Sequence, residues 1–282
     1  MTLSIPPLAL ALVLCAAVLH ALWNALVKGA ADRALMMALI SLGHGVLGAL
    51  MVMRFGHPLQ ESWPFIALST FIHFFYYGFL IIAYRFGDLS QVYPVARGSA
   101  PLLVAFGAVI FAGENLRPLA WAGTLSISFG IALLALGNTS GSTSRTAILA
   151  ALGTGLTIAA YTLADGLGAR ASQNPLGYIG WLFLLECIAG FGLLYIRRKH
   201  LGAATFKHLT LGLAGGVLSA LAYGMAIYAK TLTELGAVSA LRESSVIIAA
   251  LIGAIWFNER PWKLRVVAAA IVAAGVILIA FA

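Results

Sequence analysis

Charge is scarce in this sequence: 17 Lys and Arg and 9 Asp and Glu make up 9% of its 282 residues. Soluble domains carry roughly 25% charge, so a fold of this size cannot cover its surface with water-seeking groups from such a supply. Two cysteines, Cys15 and Cys187, both inside apolar runs, exclude a disulfide framework and read as packing residues. Walker-type loops, HExxH pairs and nucleophile elbows are also missing, so no enzyme constellation is visible. What is present is apolar: 62% of the chain, with 30 glycines. That composition excludes intrinsic disorder and describes an integral membrane protein whose helices pack closely.

A spanning helix needs about 20 mostly apolar residues, so the length holds about ten spans and little else. We place them near 6–28, 33–54, 63–84, 89–112, 118–137, 146–168, 175–196, 208–230, 236–257 and 262–281. The first lacks a basic n-region and reads as a retained span rather than a signal peptide. The breaks are GHPLQESWP at 56–64, NTSGSTSR at 138–145, RRKHLGAATFKH at 197–208 and the short turns GENLRP and NERP. The segment at 138–145 reads as a linker between two halves, 1–140 and 141–282.

The halves resemble each other. RGSAPLLVAFGAVIFAGE runs from Arg97 to Glu114, and RESSVIIAALIGAIWFNE from Arg242 to Glu259. One shift of 145 residues superposes Arg97 on Arg242, Ser99 on Ser244, Glu114 on Glu259 and Gly130 on Gly275. Five spans per copy is an odd number, so the second copy enters the membrane upside down. The expected fold is therefore all-α, with ten transmembrane helices as two inverted five-helix repeats, as in secondary transporters.

Loops after odd-numbered spans carry Lys28, Arg33, Arg85, Arg145, Arg197, Arg198, Lys199, Lys207, Arg260, Lys263 and Arg265. Loops after even-numbered spans carry Arg54, Arg117, Arg170 and Lys230. Eleven against four places the odd loops in the cytoplasm and both termini outside. The basic residues are thus topogenic, and nothing in them calls for nucleic acid.

Polar groups inside a span are costly and face a cavity or another helix. His20 and Asn24 lie four apart on the first span, with Trp23 beside them. His73, Tyr77 and Tyr84 follow helical spacing on the third, Tyr161 and Asp165 on the sixth, Ser219 and Tyr223 on the eighth. The expectation is convergence on a central cavity: His20, Trp23, Asn24, His73, Tyr77, Tyr161, Asp165 and Tyr223 as substrate-binding residues. Rings would stack on a flat ligand while hydroxyls bond to it. The competing reading of each stripe is a packing seam. Tyr178, in the first turn of the seventh span, is expected to point outward.

Arg97 and Arg242 lie about two turns inside their spans. They serve either as structural or gating ties to a loop carbonyl or acid, which is favoured, or as a seat for a substrate carboxylate. Pro101 removes a helical hydrogen bond and is the expected hinge. Glu186, mid-span in WLFLLECIAG, is either a proton carrier or a neutral packing residue on a peripheral helix; His44 reads as packing. His20, His44 and His73 sit on separate spans, and no metal site is drawn from them.

The repeats, the span count and the Gly113-Glu114 and Asn258-Glu259 turns between the last two spans of each half resemble the drug/metabolite transporter superfamily. The EamA-like bacterial exporters are the nearest type, and the aromatic amino acid exporter branch within them. The second half departs from the Gly-Glu form at Asn258. The resemblance spans the chain and implies an inner-membrane exporter or exchanger of small metabolites, amino acids first, surrounded by lipid and with no cofactor or nucleotide-hydrolysing domain. Drug efflux is the alternative within the class. A lipid-modifying enzyme or flippase is the alternative outside it, and would call for a catalytic cluster at headgroup depth.

Overall fold

The structure is a computed structural model; it describes residues 5–30, 32–87, 89–136, 144–196, 198, 206–255 and 262–282. Among these the secondary structure is helical: α1 (Pro7–Lys28), α2 (Arg33–Phe55), α3 (Trp63–Phe86), α4 (Leu89–Ala112) and α5 (Pro118–Leu136), then α6 (Arg145–Ala171), α7 (Pro175–Ile196), α8 (Phe206–Ala229), α9 (Leu235–Arg242), α10 (Ser245–Ile255) and α11 (Trp262–Ala280). Among the described residues nine segments are long and apolar enough to cross a membrane, and Pro118–Leu134 is a shorter apolar one. Phe71, Phe74 and Phe75 of α3 are each at least half exposed, a surface that water would not tolerate and lipid favours.

Local chemistry sets the helix starts. Asp32 accepts from the Leu35 amide and Ser144 from the Ala147 amide, both as N-caps. Proline occupies the first turn of α1 and α3, where its missing N–H costs nothing. Gly113 ends α4 with φ +65°, and the next amide, Glu114, returns to the Ala108 carbonyl six residues back. This glycine-terminated cap fixes the direction in which Glu114 leaves the helix.

The helices pair reciprocally. Under the 145-residue shift, α2 and α5 correspond to α7 and α11, and each packs on its own equivalent. The α3–α6 contact is matched by α8–α1. Ser41 donates to the Glu186 carbonyl and Ser126 to the Ile271 carbonyl, and in both cases donor and acceptor are 145 residues apart. A Cβ on Gly275 would lie 2.7 Å from the Gly123 carbonyl oxygen, and one on Gly130 would lie 3.0 Å from that of Ala268. Gly130 is equivalent to Gly275 and Gly123 to Ala268, so these are one contact seen twice. That is the signature of a two-fold axis between the halves. With five spans in each, the axis lies in the membrane plane.

The ninth span departs from expectation. It is broken between α9 and α10, where Glu243, Ser244, Val246 and Ile247 donate to carbonyls three residues back. α4, which carries the expected hinge residue Pro101, runs through both Pro94 and Pro101 as one helix. In the second half the buried Glu243 turns toward Arg97, and two serines follow it, residues of lower helix propensity than the alanines and leucines around them.

Candidate functional site

A cavity of about 150 Å³ lies between α1, α2, α3, α4, α6, α7, α8 and α9. Its walls come from the second half of α1, the first half of α2 and the last half of α3, so it extends from mid-bundle toward the end where α1 stops and α2 begins. His20, Trp23, Asn24, His73, Tyr77, Tyr161 and Tyr223 all line it, as do Arg97 and Arg242. The four stripes thus meet in one space.

The rings form a continuous aromatic wall. His73 stacks on Tyr161 at 4.2 Å between centroids, and Tyr76 meets Tyr161 edge-on at 5.9 Å. Tyr161 meets Tyr223 edge-on at 6.1 Å, and His20 meets Trp23 at 5.3 Å. Asn24 donates to the carbonyl of His20 one turn back, so its amide is partly committed to its own helix.

Two sequence expectations need correction. Asp165 is fully buried outside the cavity lining, accepting from the hydroxyls of Tyr223 and Tyr178. Its place is behind the wall, where it fixes Tyr223. Tyr178 is not outward-lying: it is fully buried, and its hydroxyl reaches Asp165 at 3.1 Å. Position near a span end gave the wrong depth, because α6 and α7 pack along their loop-proximal turns as well. Pro101 is also buried, and it sits away from the cavity, one turn beyond Arg97.

Glu186 lies at the cavity wall rather than on a peripheral face. Its carboxylate stands 3.3 Å from His73 Nε2 and 3.6 Å from His44 Nδ1. Three helices that the sequence keeps apart supply this cluster. Among the described residues no group of three or more His, Cys, Asp and Glu side chains has the arrangement of a metal site.

Glu243 had drawn no functional reading from the sequence. It is buried and contacts Arg97 at 2.8 Å, an ion contact whose angles fall outside hydrogen-bond alignment. The visible signal was its place beside Arg242 in the duplicated RGS/RES segment. Arg97 therefore has the acid tie that was one of its two expected roles.

A network of charged contacts joins the helices at the opposite end of the bundle. Arg170, at the end of α6, contacts Glu114 at 2.9 Å and donates to the carbonyls of Lys230 and Thr233. The same Glu114 carboxylate accepts from the amides of Leu235 and Gly236 at the start of α9. A carboxylate there satisfies free amides and meets the positive helix end. Glu234 beside it has its carboxyl raised above the usual range by burial first and then by the Glu114 charge. Glu259, the counterpart of Glu114, lies outside the described residues.

The EamA-like transporter family model matches the chain twice, over residues 7–136 and 145–281. The chain is also similar to a solved structure described only as the crystal structure of a protein, at 19% identity and a TM-score of 0.73, covering 96% of this chain and 95% of that one. At that identity the likeness shows the fold. Among curated proteins none matches. Matched over both halves and folded as an all-helical pair of repeats around a polar-aromatic cavity, the chain belongs to the EamA-like transporter family of the drug/metabolite transporter superfamily, membrane transporters of small molecules.

Proposed function

We propose that the protein is a secondary transporter that exports small metabolites across a bacterial inner membrane, by alternating access around the central cavity. Its substrates are amino acids, aromatic ones included. The two five-helix units, divided near residue 140, rock about the cavity, with the odd loops in the cytoplasm. The observation that carries this reading is the meeting of the aromatic wall with polar groups in one cavity: His73, Tyr161 and Tyr223 on one side, Arg242, Glu186 and Asn24 around it.

Size favours a metabolite over a bulky drug. On this measure a water needs roughly 10–15 Å³, so the space holds on the order of ten waters. Drug-sized ligands occupy pockets of about 300–1,000 Å³. The present volume is 150 Å³.

The test is counterflow of labelled phenylalanine in liposomes that contain the purified protein and no nucleotide, with every amino acid offered as competitor. Accumulation that aromatic amino acids compete away supports the reading. Absence of counterflow with all of them, alongside uptake of a cationic dye, turns it to drug efflux.

A further inference from the structure

Arg97 and Arg242 are equivalent by sequence, but the fold treats them differently. Arg97 is held at 2.8 Å by Glu243, the residue that follows Arg242. The two-fold axis maps this contact onto Arg242 facing the residue that follows Arg97. That residue is Gly98, which offers no carboxylate. None fits there either: a Cβ on Gly98 would lie 3.1 Å from the Ser128 carbonyl oxygen and 3.5 Å from the Ala132 amide nitrogen. One arginine of the pair is neutralised from within the protein, and the residue equivalent to its neutraliser is a glycine.

Arg242 is 5% exposed and lines the cavity. Among the described residues its Nε has no hydrogen-bond partner, and its guanidinium carbon lies 5.9 Å from the Tyr223 ring centroid, an orientation that ring–cation attraction supports. The indole N–H of Trp23, on the same cavity, is likewise buried and unpartnered. Buried donors left unsatisfied are costly, and a buried cation without an anion most of all. A ligand that brings an oxyanion to Arg242 supplies the missing counter-charge.

We propose that Arg242 is the seat of the substrate's carboxylate, the ligand filling for Arg242 the place that Glu243 fills for Arg97. The planar fork of the guanidinium matches a carboxylate through paired donors. The inference rests on the transporter reading of the cavity and deepens it: recognised substrates carry a carboxylate next to an apolar or aromatic body. The repeat asymmetry gives the reason that the second arginine, and not the first, does this.

The experiment uses the purified full chain and measures binding of 3-phenylpropionate, a carboxylate without an ammonium group, to the wild type, Arg242→Gln and Arg242→Lys. Folding is checked by size-exclusion profile and thermal midpoint. The expected result is binding to the wild type, weakened at least ten-fold in Arg242→Gln and less in Arg242→Lys. In the wild type, phenylalaninamide should compete with labelled 3-phenylpropionate at least ten-fold less well than phenylalanine. If 3-phenylpropionate does not bind the wild type, binds folded Arg242→Gln equally, or is displaced by amide and acid alike, the proposal is overturned; the amide comparison decides it even where both variants fail to fold. Arg242-dependent binding of 3-phenylpropionate without amino acid counterflow would leave the carboxylate seat standing and remove the amino acid reading. Counterflow that Arg242→Gln preserves, with acid and amide equivalent, would do the reverse.

Discussion

Glu114, at the end of α4, ties Arg170, at the end of α6, to the first amides of α9. One carboxylate thus joins the first repeat to two elements of the second, at the end of the bundle away from the cavity mouth. Hydrogen bonds to a charged group contribute about 1.5–3 kcal/mol each where buried, less for the part-exposed arginine. Glu114→Gln should therefore loosen this end. In a background free of Cys15 and Cys187, a cysteine at Ser219 in the cavity should react with an impermeant thiol reagent from the Glu114 side several-fold faster in the variant. Equal rates would show that the network does not close the passage.

Close backbone approach predicts where size is intolerable. A Cβ on Gly43 would lie 2.8 Å from the Cα of Gly216, where α2 crosses α8, and neither backbone can retreat alone. Gly43→Ala should cost about 1–3 kcal/mol and lower the folded yield in detergent. Gly78, with nothing within 4 Å of its Cβ position, should accept alanine without loss. Thermal unfolding of the two variants side by side decides it.

Behind the cavity, Tyr178 and Tyr223 both donate to Asp165. Tyr178→Phe removes one donor from a buried carboxylate and should lower stability by about 1–3 kcal/mol. Tyr77→Ala, at the cavity wall, should instead weaken substrate by roughly 0.5–1.5 kcal/mol, a few-fold in affinity, with a smaller change in midpoint. Thermal midpoints and counterflow affinities measured on both variants must separate in this way. A Tyr77→Ala protein that transports like wild type would make its stripe a packing seam.

The cluster of Glu186, His44 and His73 supplies three proton-exchanging groups at the cavity wall. We expect Glu186→Gln to abolish accumulation driven by a pH gradient while leaving counterflow of unlabelled against labelled substrate largely intact. Gradient-driven transport at wild-type rate in the variant would assign the cluster to substrate positioning instead.

Basic residues predict orientation. Cysteine in place of Arg198 should be protected from an impermeant reagent in whole cells, and cysteine in place of His57 should be labelled. The opposite pattern reverses the assignment of sides.

Composition and the internal repeat set the class of the protein. Scarce charge and long apolar runs dictate spanning helices, and the Arg97/Arg242 and Glu114/Glu259 matches at one interval dictate two repeats whose odd span number inverts them. Stripes such as His20 with Asn24 were legible because a polar group in lipid is too costly to be accidental. Depth and partnership were not legible. Lipid is as apolar as leucine, so an apolar face does not reveal whether it meets lipid or another helix, and Tyr178 was misplaced for that reason. Packing of the helices brought Glu186 to His44 and His73, set Asp165 behind the wall, and gave Arg97 a carboxylate while the residue equivalent to that carboxylate's, beside Arg97, is a glycine. Those relations join residues tens to hundreds of positions apart, and the two-fold packing of the repeats, rather than any local spacing, decides which of them meet.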